Sequence, residues 1–231
     1  MIMSRFTSLC FYFFLIFSPF LVQGQESAHA SGGGGTNNLT LVVEVASATG
    51  RIWMDRNLGA SQKATSSTDT LSYGDLYQWG RDTDGHQIRT SALTATLSSK
   101  DTPAHGDFIL ASRSPYDWRN PQNDNLWQGV SGVNNPCPTG YRIPTEAEWN
   151  AERLRWSANN AAGAWASPLK LPVAGGRSDS SGSLDDVGSI GYYWSSTVSG
   201  SSARNLNFYS SSAFMFSYYR AGGSSVRCLK D

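Results

Sequence analysis

Between Ala203 and Phe216 apolar and polar side chains alternate with a period of two, which commits the C-terminal part of the chain to paired β-strands. Leu206 and Phe208 alternate with Asn205, Asn207 and Tyr209, and Ala213 and Met215 alternate with Ser212, Phe214 and Phe216. A strand sends successive side chains to opposite faces. Leu206, Phe208, Ala213 and Met215 are therefore expected to fill a core while the Asn, Ser, Phe and Tyr set faces outward. Tyr and Phe offer large contact area at low rotamer cost, and Ser, Asn and Gly offer adaptable hydrogen bonding, a composition suited to recognition. A sheet packed on both faces, with Phe214 and Phe216 simply buried, is the competing expectation.

The N-terminus carries an export signature. Arg5 supplies a positive charge, Phe6 to Val22 is almost entirely apolar, and Pro19 interrupts the run before Gln23. The stretch is short for a membrane span, so residues 1–24 read as a cleaved signal peptide, with Ala30 as the other cleavage point and an uncleaved anchor as the alternative. Cys10 follows Leu9 inside the apolar run, where lipid attachment would require a small residue. Residues 25–38 are rich in Gly and Ser and read as a flexible linker. Residues 39–231 then form one domain, exported to the periplasm, cell surface or medium.

Eighteen basic and 18 acidic residues balance to zero formal charge, and without a basic stripe nucleic acid is not an expected partner. A protein or glycan ligand outside the cytoplasm is expected, with the membrane involved only if the leader stays attached. Eight Trp, ten Tyr and ten Phe suffice for a substantial core. With Cys10 removed, Cys137 and Cys228 remain. In an oxidising compartment such an isolated pair reads as a disulfide, against two buried free thiols. His86 and His105, with His29 if cleavage is early, are too dispersed for a metal cluster, and neither of the first two has a nucleophile motif beside it. Asp185 and Asp186 are adjacent, so their side chains face apart. Asp82-Thr83-Asp84-Gly85 opens like a calcium loop, but Leu93 stands where the closing acid belongs, which favours an Asx turn. No catalytic residue, cofactor or metal is expected.

Leu39–Ala46 and Arg51–Asp55 read as strands paired across Thr49-Gly50, and a short helix is expected from Asp75. Residues 82–137 carry loop signals, with Trp118 and Trp127 to hold them by packing. Thr145-Glu146-Ala147-Glu148 is a capping box. It opens a helix running to about Asn159 with Ala147, Ala151, Leu154 and Ala158 on one face. Leu169–Val173, Tyr192–Thr197, Arg204–Ser210, Ala213–Ser217 and Ser225–Leu229 read as strands. Strands and helices do not alternate regularly, so the fold class is α+β.

Six segments together carry a family resemblance: GRIWMDRNLGA from Gly50, YGDLYQWGRDTDGH from Tyr73, NPCPTGYRIPTEAEW from Asn135, LKLPVAGGR from Leu169, GYYWSST from Gly191 and SVRCLKD from Ser225. In this order they resemble the Fibrobacter succinogenes major paralogous domain, a branch of the C-type lectin-like fold related to formylglycine-generating-enzyme-type domains. The resemblance implies mixed antiparallel sheets with few helices and long loops, neighbouring termini and a ligand-presenting segment at about 203–225. The family often carries Asn where this chain has Tyr209, Ser212, Phe214, Phe216, Ser217, Tyr218, Tyr219, Gly222 and Ser224. Each of these is reachable from an Asn codon by changing adenines alone, whereas Met215 is not. That pattern is similar to variable proteins of diversity-generating retroelements. It implies a binding surface formed by those positions, with Asn205, Asn207 and Ser224 at its edge. Arg142, Trp149, Trp194, Arg227 and the Cys137–Cys228 bridge would be the frame. Formylglycine-generating enzymes use a pair of active-site cysteines, and Cys228 has no second cysteine nearby. The alternatives are a cell-envelope structural domain or a divergent oxidase of that enzyme type.

Overall fold

The computed structural model describes residues 40–231, so the leader, the linker and Leu39 lie outside the described residues. Near the start, β1 (Glu44–Ala46) and β2 (Ile52–Met54) pair antiparallel with Glu44 opposite Met54 and Ala46 opposite Ile52. Gly50, at φ +81°, provides the left-handed residue the turn needs. Regular pairing begins only at Glu44, because Val42 makes no more than an isolated bridge.

No helix forms at Asp75. A short 3-10 turn lies earlier, at Thr70–Ser72, and β3 (Tyr77–Gln78) occupies the expected helical stretch. Gly74 and Gly80 sit at φ +66° and +84° on either side of it, breaking any helical run. Residues 82–137 are mostly irregular, with only β4 (Leu93–Thr94) and β5 (Phe108–Ile109) paired in parallel. Trp118 and Trp127 are fully buried there. Trp118 Nε1 donates to the Trp79 carbonyl at 2.7 Å and Trp127 Nε1 to that of Asn134 at 2.8 Å.

After β6 (Tyr141–Arg142), Thr145 caps helix α1 (Glu146–Arg153) through the complete capping box. The helix ends well before Asn159, and its buried residues are Trp149 and Glu152. Ala147, Ala151 and Leu154 are exposed. The bulk of Trp149, rather than the alanine spacing, selects the face that turns inward. A second helix, α2 (Ala161–Ala166), is capped by Asn160. Leu169–Val173 is buried but unpaired, and pairing resumes at β7 (Gly176–Arg177) and β8 (Leu184–Asp185).

The longest strands are β9 (Gly191–Ser199), β10 (Ser202–Phe208) and β11 (Ala213–Tyr219), with β10 between the other two. The chain closes with β12 (Gly223–Ser224) and β13 (Leu229–Lys230); of the strand expected at Ser225–Leu229 only Leu229 belongs to a strand, and Ser225 makes an isolated bridge. Sheet orders are β1-β2-β13-β6, β11-β10-β9 and β3-β12-β7-β8, beside the β4–β5 pair. The architecture is therefore α+β with antiparallel strands predominating. Both ends of the described chain share one sheet, where Lys230 Nζ meets Glu44 Oε1 at 2.6 Å. Among the described residues no helix is long and apolar enough to cross a membrane.

Cys137 and Cys228, at a sequence separation of 91, form a disulfide with Cα atoms 5.8 Å apart, which favours an oxidising, extracytoplasmic setting. Arg227, wholly buried beside it, donates to Asn57 Oδ1 at 3.1 and 2.9 Å and to the Leu169 carbonyl at 2.7 Å. A paired Cys137→Ser/Cys228→Ser variant is expected to lose about 2–5 kcal/mol in denaturant unfolding.

Glu148 links cap and sheet. Burial raises its pKa, but hydrogen bonds from Arg142 and from the Thr145 amide and hydroxyl outweigh that and hold it at about 2. Because the folded value lies below the unfolded one, this stabilisation is present above about pH 4.5 and is lost as pH falls toward 2. Glu148→Gln should flatten that part of the stability–pH curve, as measured by chemical unfolding from pH 6 to 2.

Candidate functional site

The register of β9–β10–β11 determines which residues can act together. Asn207 lies opposite Tyr192 and Phe214, Asn205 opposite Trp194 and Phe216, and Ala203 opposite Tyr218. These residues share one face. On the other face Leu206 pairs with Met215 and Tyr193, and Phe208 with Ala213. Leu206, Phe208, Ala213 and Tyr193 belong to a buried cluster with Trp53, Trp149 and Trp156, and Met215 packs against it. That inward set is the one the alternation predicts.

The other half of the alternation needs correction. Asn205 and Asn207 do not face outward but are buried, because β10 is the central strand and is covered on both sides. Asn205 Nδ2 donates to Ser224 Oγ at 2.9 Å, so Ser224 is an internal tie rather than a rim. Gly222 is also buried, and a Cβ there would stand 2.3 Å from the Tyr218 ring. Ser217 falls on the face opposite Phe216. It accepts from Arg204 Nη1 at 2.8 Å and lies 3.0 Å from the Ser199 hydroxyl. Arg204 is held in turn by Glu146 at 2.7 Å.

An aromatic row remains on the edge strand. Phe214 is 37%, Phe216 48% and Tyr219 41% exposed, while Tyr209, Ser212 and Tyr218 are half-buried. Phe214 meets Tyr209 edge-on at 6.2 Å and Phe216 edge-on at 6.3 Å. At the far end Tyr218 stacks with Tyr192 at 6.3 Å and with Tyr219 at 6.2 Å. Tyr116 stacks on Tyr219 at 4.2 Å. Edge-to-face and offset contacts of this kind hold rings in place while leaving faces open.

Both ends of β11 are fixed. The Tyr209 amide donates to the Ser212 carbonyl at 2.9 Å and closes the β10–β11 turn. Immediately after Tyr219, Arg220 is buried with its guanidinium 4.6 Å from the Trp79 ring centroid and Nη2 2.6 Å from Asp124. Tyr116 adopts left-handed backbone at φ +58°, and its carbonyl accepts from the Ala221 amide at 3.0 Å. Neither Tyr192 nor Tyr116 is singled out by the sequence as part of this surface. Alternation with Trp194 in GYYWSST carried a signal for Tyr192, whereas nothing local marks Tyr116.

The histidines and the acids of the Asp82–Gly85 motif stand elsewhere, whereas Asp186 accepts from the Tyr192 hydroxyl at 2.6 Å. His86 is buried, with Nδ1 2.6 Å from Asp84 Oδ1 and Nε2 accepting from the Gln78 amide at 3.0 Å. Burial and the Arg81 charge push its pKa down to about 4. His105 is half-exposed beside Asp107. Asp84 anchors Arg81 at 2.6 Å, so the Asp82–Gly85 motif is tied into an internal turn. Among the described residues no His, Cys, Asp or Glu group has the grouping of a metal site.

No protein-family profile, curated protein or solved structure matches this chain. The division between frame and face is directly measurable. Trp194→Ala should cost about 3–5 kcal/mol in urea unfolding. Phe214→Ser/Phe216→Ser should stay within about 1 kcal/mol of the parent, since those rings already meet solvent.

Proposed function

We propose that the chain is an exported, non-enzymatic ligand-binding protein that displays a diversified aromatic and serine surface on a C-type lectin-like scaffold. The observation that carries this reading is the row Phe214, Phe216 and Tyr218 on the edge strand β11, met by Tyr209 from the preceding turn and backed by the largely buried central strand β10. Exposed aromatic rings contiguous along one strand are costly to keep in water and mark contact surfaces. A few such rings dominate the energy of most interfaces.

The scaffold reading is supported by the adjacency of first and last strands in one sheet, the two short helices and the long packed loop region. The disulfide supports export. It also occupies both thiols that an oxidase of the formylglycine-generating type would require. Diversification is supported by the way substitutable positions fall. Phe214, Phe216 and Tyr219, all reachable from Asn through adenine changes, are exposed, while Met215 between two of them packs inward.

Two measurements test the proposal. On a protein and glycan array the purified protein should capture a discrete ligand, and Phe216→Ala/Tyr219→Ala should weaken capture at least about tenfold with little change in Tm. Sequencing the locus in sibling strains should find differences concentrated at the adenine-reachable codons between 209 and 224. Differences scattered evenly over the gene would sink diversification. A variant that binds as well as the parent would sink the site.

A further inference from the structure

We propose that Arg153 and Arg204 close the open edge of β11 against strand addition, keeping second copies of the chain from pairing there while the ring face stays free. This closure goes beyond the reading of the face as a binding surface and holds whatever that face binds.

The sequence creates the need for it. Ala213–Tyr219 is a seven-residue strand of aromatic, apolar and small residues, and between Asn205 and Tyr219 there is no charge, proline or glycine. Uncharged segments of this kind pair readily with further strands. Edge strands are normally blunted by a charge, a proline or a bulge of their own. β11 lies at the edge of its sheet, keeps an unbroken register with β10 and carries none of these devices.

The register shows which backbone groups the edge presents. The Tyr209 amide bonds the Ser212 carbonyl at 2.9 Å, and bonded and non-bonded pairs alternate along an antiparallel ladder. Phe214, Phe216 and Tyr218 therefore turn their amides and carbonyls to β10, whereas Ala213, Met215, Ser217 and Tyr219 turn theirs to the open side. Three of those four carbonyls are already taken. The Ala213 carbonyl accepts from Arg153 Nη1 at 3.2 Å, that of Met215 from Arg204 Nη2 at 3.4 Å and that of Tyr219 from the Gly222 amide at 2.9 Å. Both arginines are fixed from behind, Arg153 by Asn159 at 2.6 Å and Asn150 at 3.2 Å, and Arg204 by Glu146 at 2.7 Å.

An incoming antiparallel strand must both donate to and accept from each residue it bonds. At β11 it finds the acceptors occupied by guanidinium groups that carry only donors, and displacing these leaves charged groups short of partners. Arg153 belongs to α1 and Arg204 to β10. The caps are thus supplied from outside β11, and the strand's own side chains can change without opening its edge.

Light scattering across the micromolar to millimolar range, with amide exchange read by NMR, tests this closure. The parent should be monomeric, with the Met215 and Ser217 amides exchanging freely. Arg153→Ala/Arg204→Ala should self-associate at concentrations at least about tenfold below any at which the parent does, and those two amides should become protected as it associates. Arg155→Ala, which removes an exposed positive charge just past α1 but no cap, should behave as the parent. A double variant as monomeric as the parent overturns the proposal, as does association that leaves both amides exchanging freely. A parent already associated through those amides overturns it as well. Equal association by Arg155→Ala assigns the effect to net charge and overturns the role of the caps. If the double variant does not fold, Arg153→Ala alone, which keeps the Arg204–Glu146 pair, is held to the same outcomes.

Discussion

The indole of Trp194 is the junction on which the rest of the structure depends. Its Nε1 donates to the Tyr77 carbonyl at 2.7 Å, its amide donates to the Ser225 carbonyl at 3.0 Å, and its own carbonyl accepts from Trp149 Nε1 at 3.0 Å. One residue thereby joins β9 to β3, to the segment after β12 and to helix α1. Its ring lies in the cluster around Trp79, Trp118 and Trp127, whereas the indole of Trp149 belongs to the cluster around Trp53, Tyr193 and Phe208. The two cores are coupled through this contact, and β10, lying against Trp194, is pressed from both sides. An edge strand hydrogen-bonded along its length to so constrained a neighbour has little freedom to move. The backbone beneath the aromatic row on β11 is anchored for that reason.

Charge inside the frame is handled by geometry. Arg81, Arg220 and Arg227 are all buried, and each sits where a carboxylate, carbonyl or aromatic face meets it. Arg81 is shared between Asp84, the Gln78 amide oxygen and the carbonyls of His105 and Asp107. Its pKa is drawn down by burial and partly restored by Asp84. Planar guanidinium groups suit such multi-acceptor sites in a way a lysine does not. Arg81 and Arg220 pin loop 82–137 and the turn after β11, regions with too little regular pairing to hold themselves, while Arg227 ties residues 54–57 to Leu169.

How much of this was legible in the sequence follows from which forces act locally. The capping box at Thr145, the Gly50 hairpin and the inward set Leu206, Phe208, Ala213 could be read because each depends on neighbours within a few residues. The outward placement of Asn205 and Asn207 could not. Alternation separates two faces but does not reveal that a central strand has both covered. Likewise the alanines of α1 mimicked a buried stripe, while burial of Trp149 and Glu152 was decided by partners distant in sequence, such as Ser47, whose hydroxyl donates to Glu152 at 2.5 Å. Tyr116 joins the surface through its stacking on Tyr219 and its carbonyl's bond from the Ala221 amide, contacts no local pattern announces. The disulfide was legible from counting cysteines once export was inferred, although spacing alone left free thiols open.

The boundary between face and frame falls within the variable-looking segment itself. Phe214 and Phe216 can be exchanged for most residues other than proline without disturbing the ladder, because their backbone is held by β10 and their side chains reach solvent. Gly222 and Ser224 cannot. A side chain at 222 would collide with the Tyr218 ring, and the Ser224 hydroxyl is the partner of a buried asparagine. Tyr218 and Gly222 are therefore coupled: the large ring is admitted only because glycine lies beneath it, and a smaller residue at 218 would free 222 to vary. A surface built this way tolerates substitution independently along β11 up to Phe216 and only in concert beyond it. Packing under the surface, and not only chemistry upon it, sets which combinations of side chains the fold accepts.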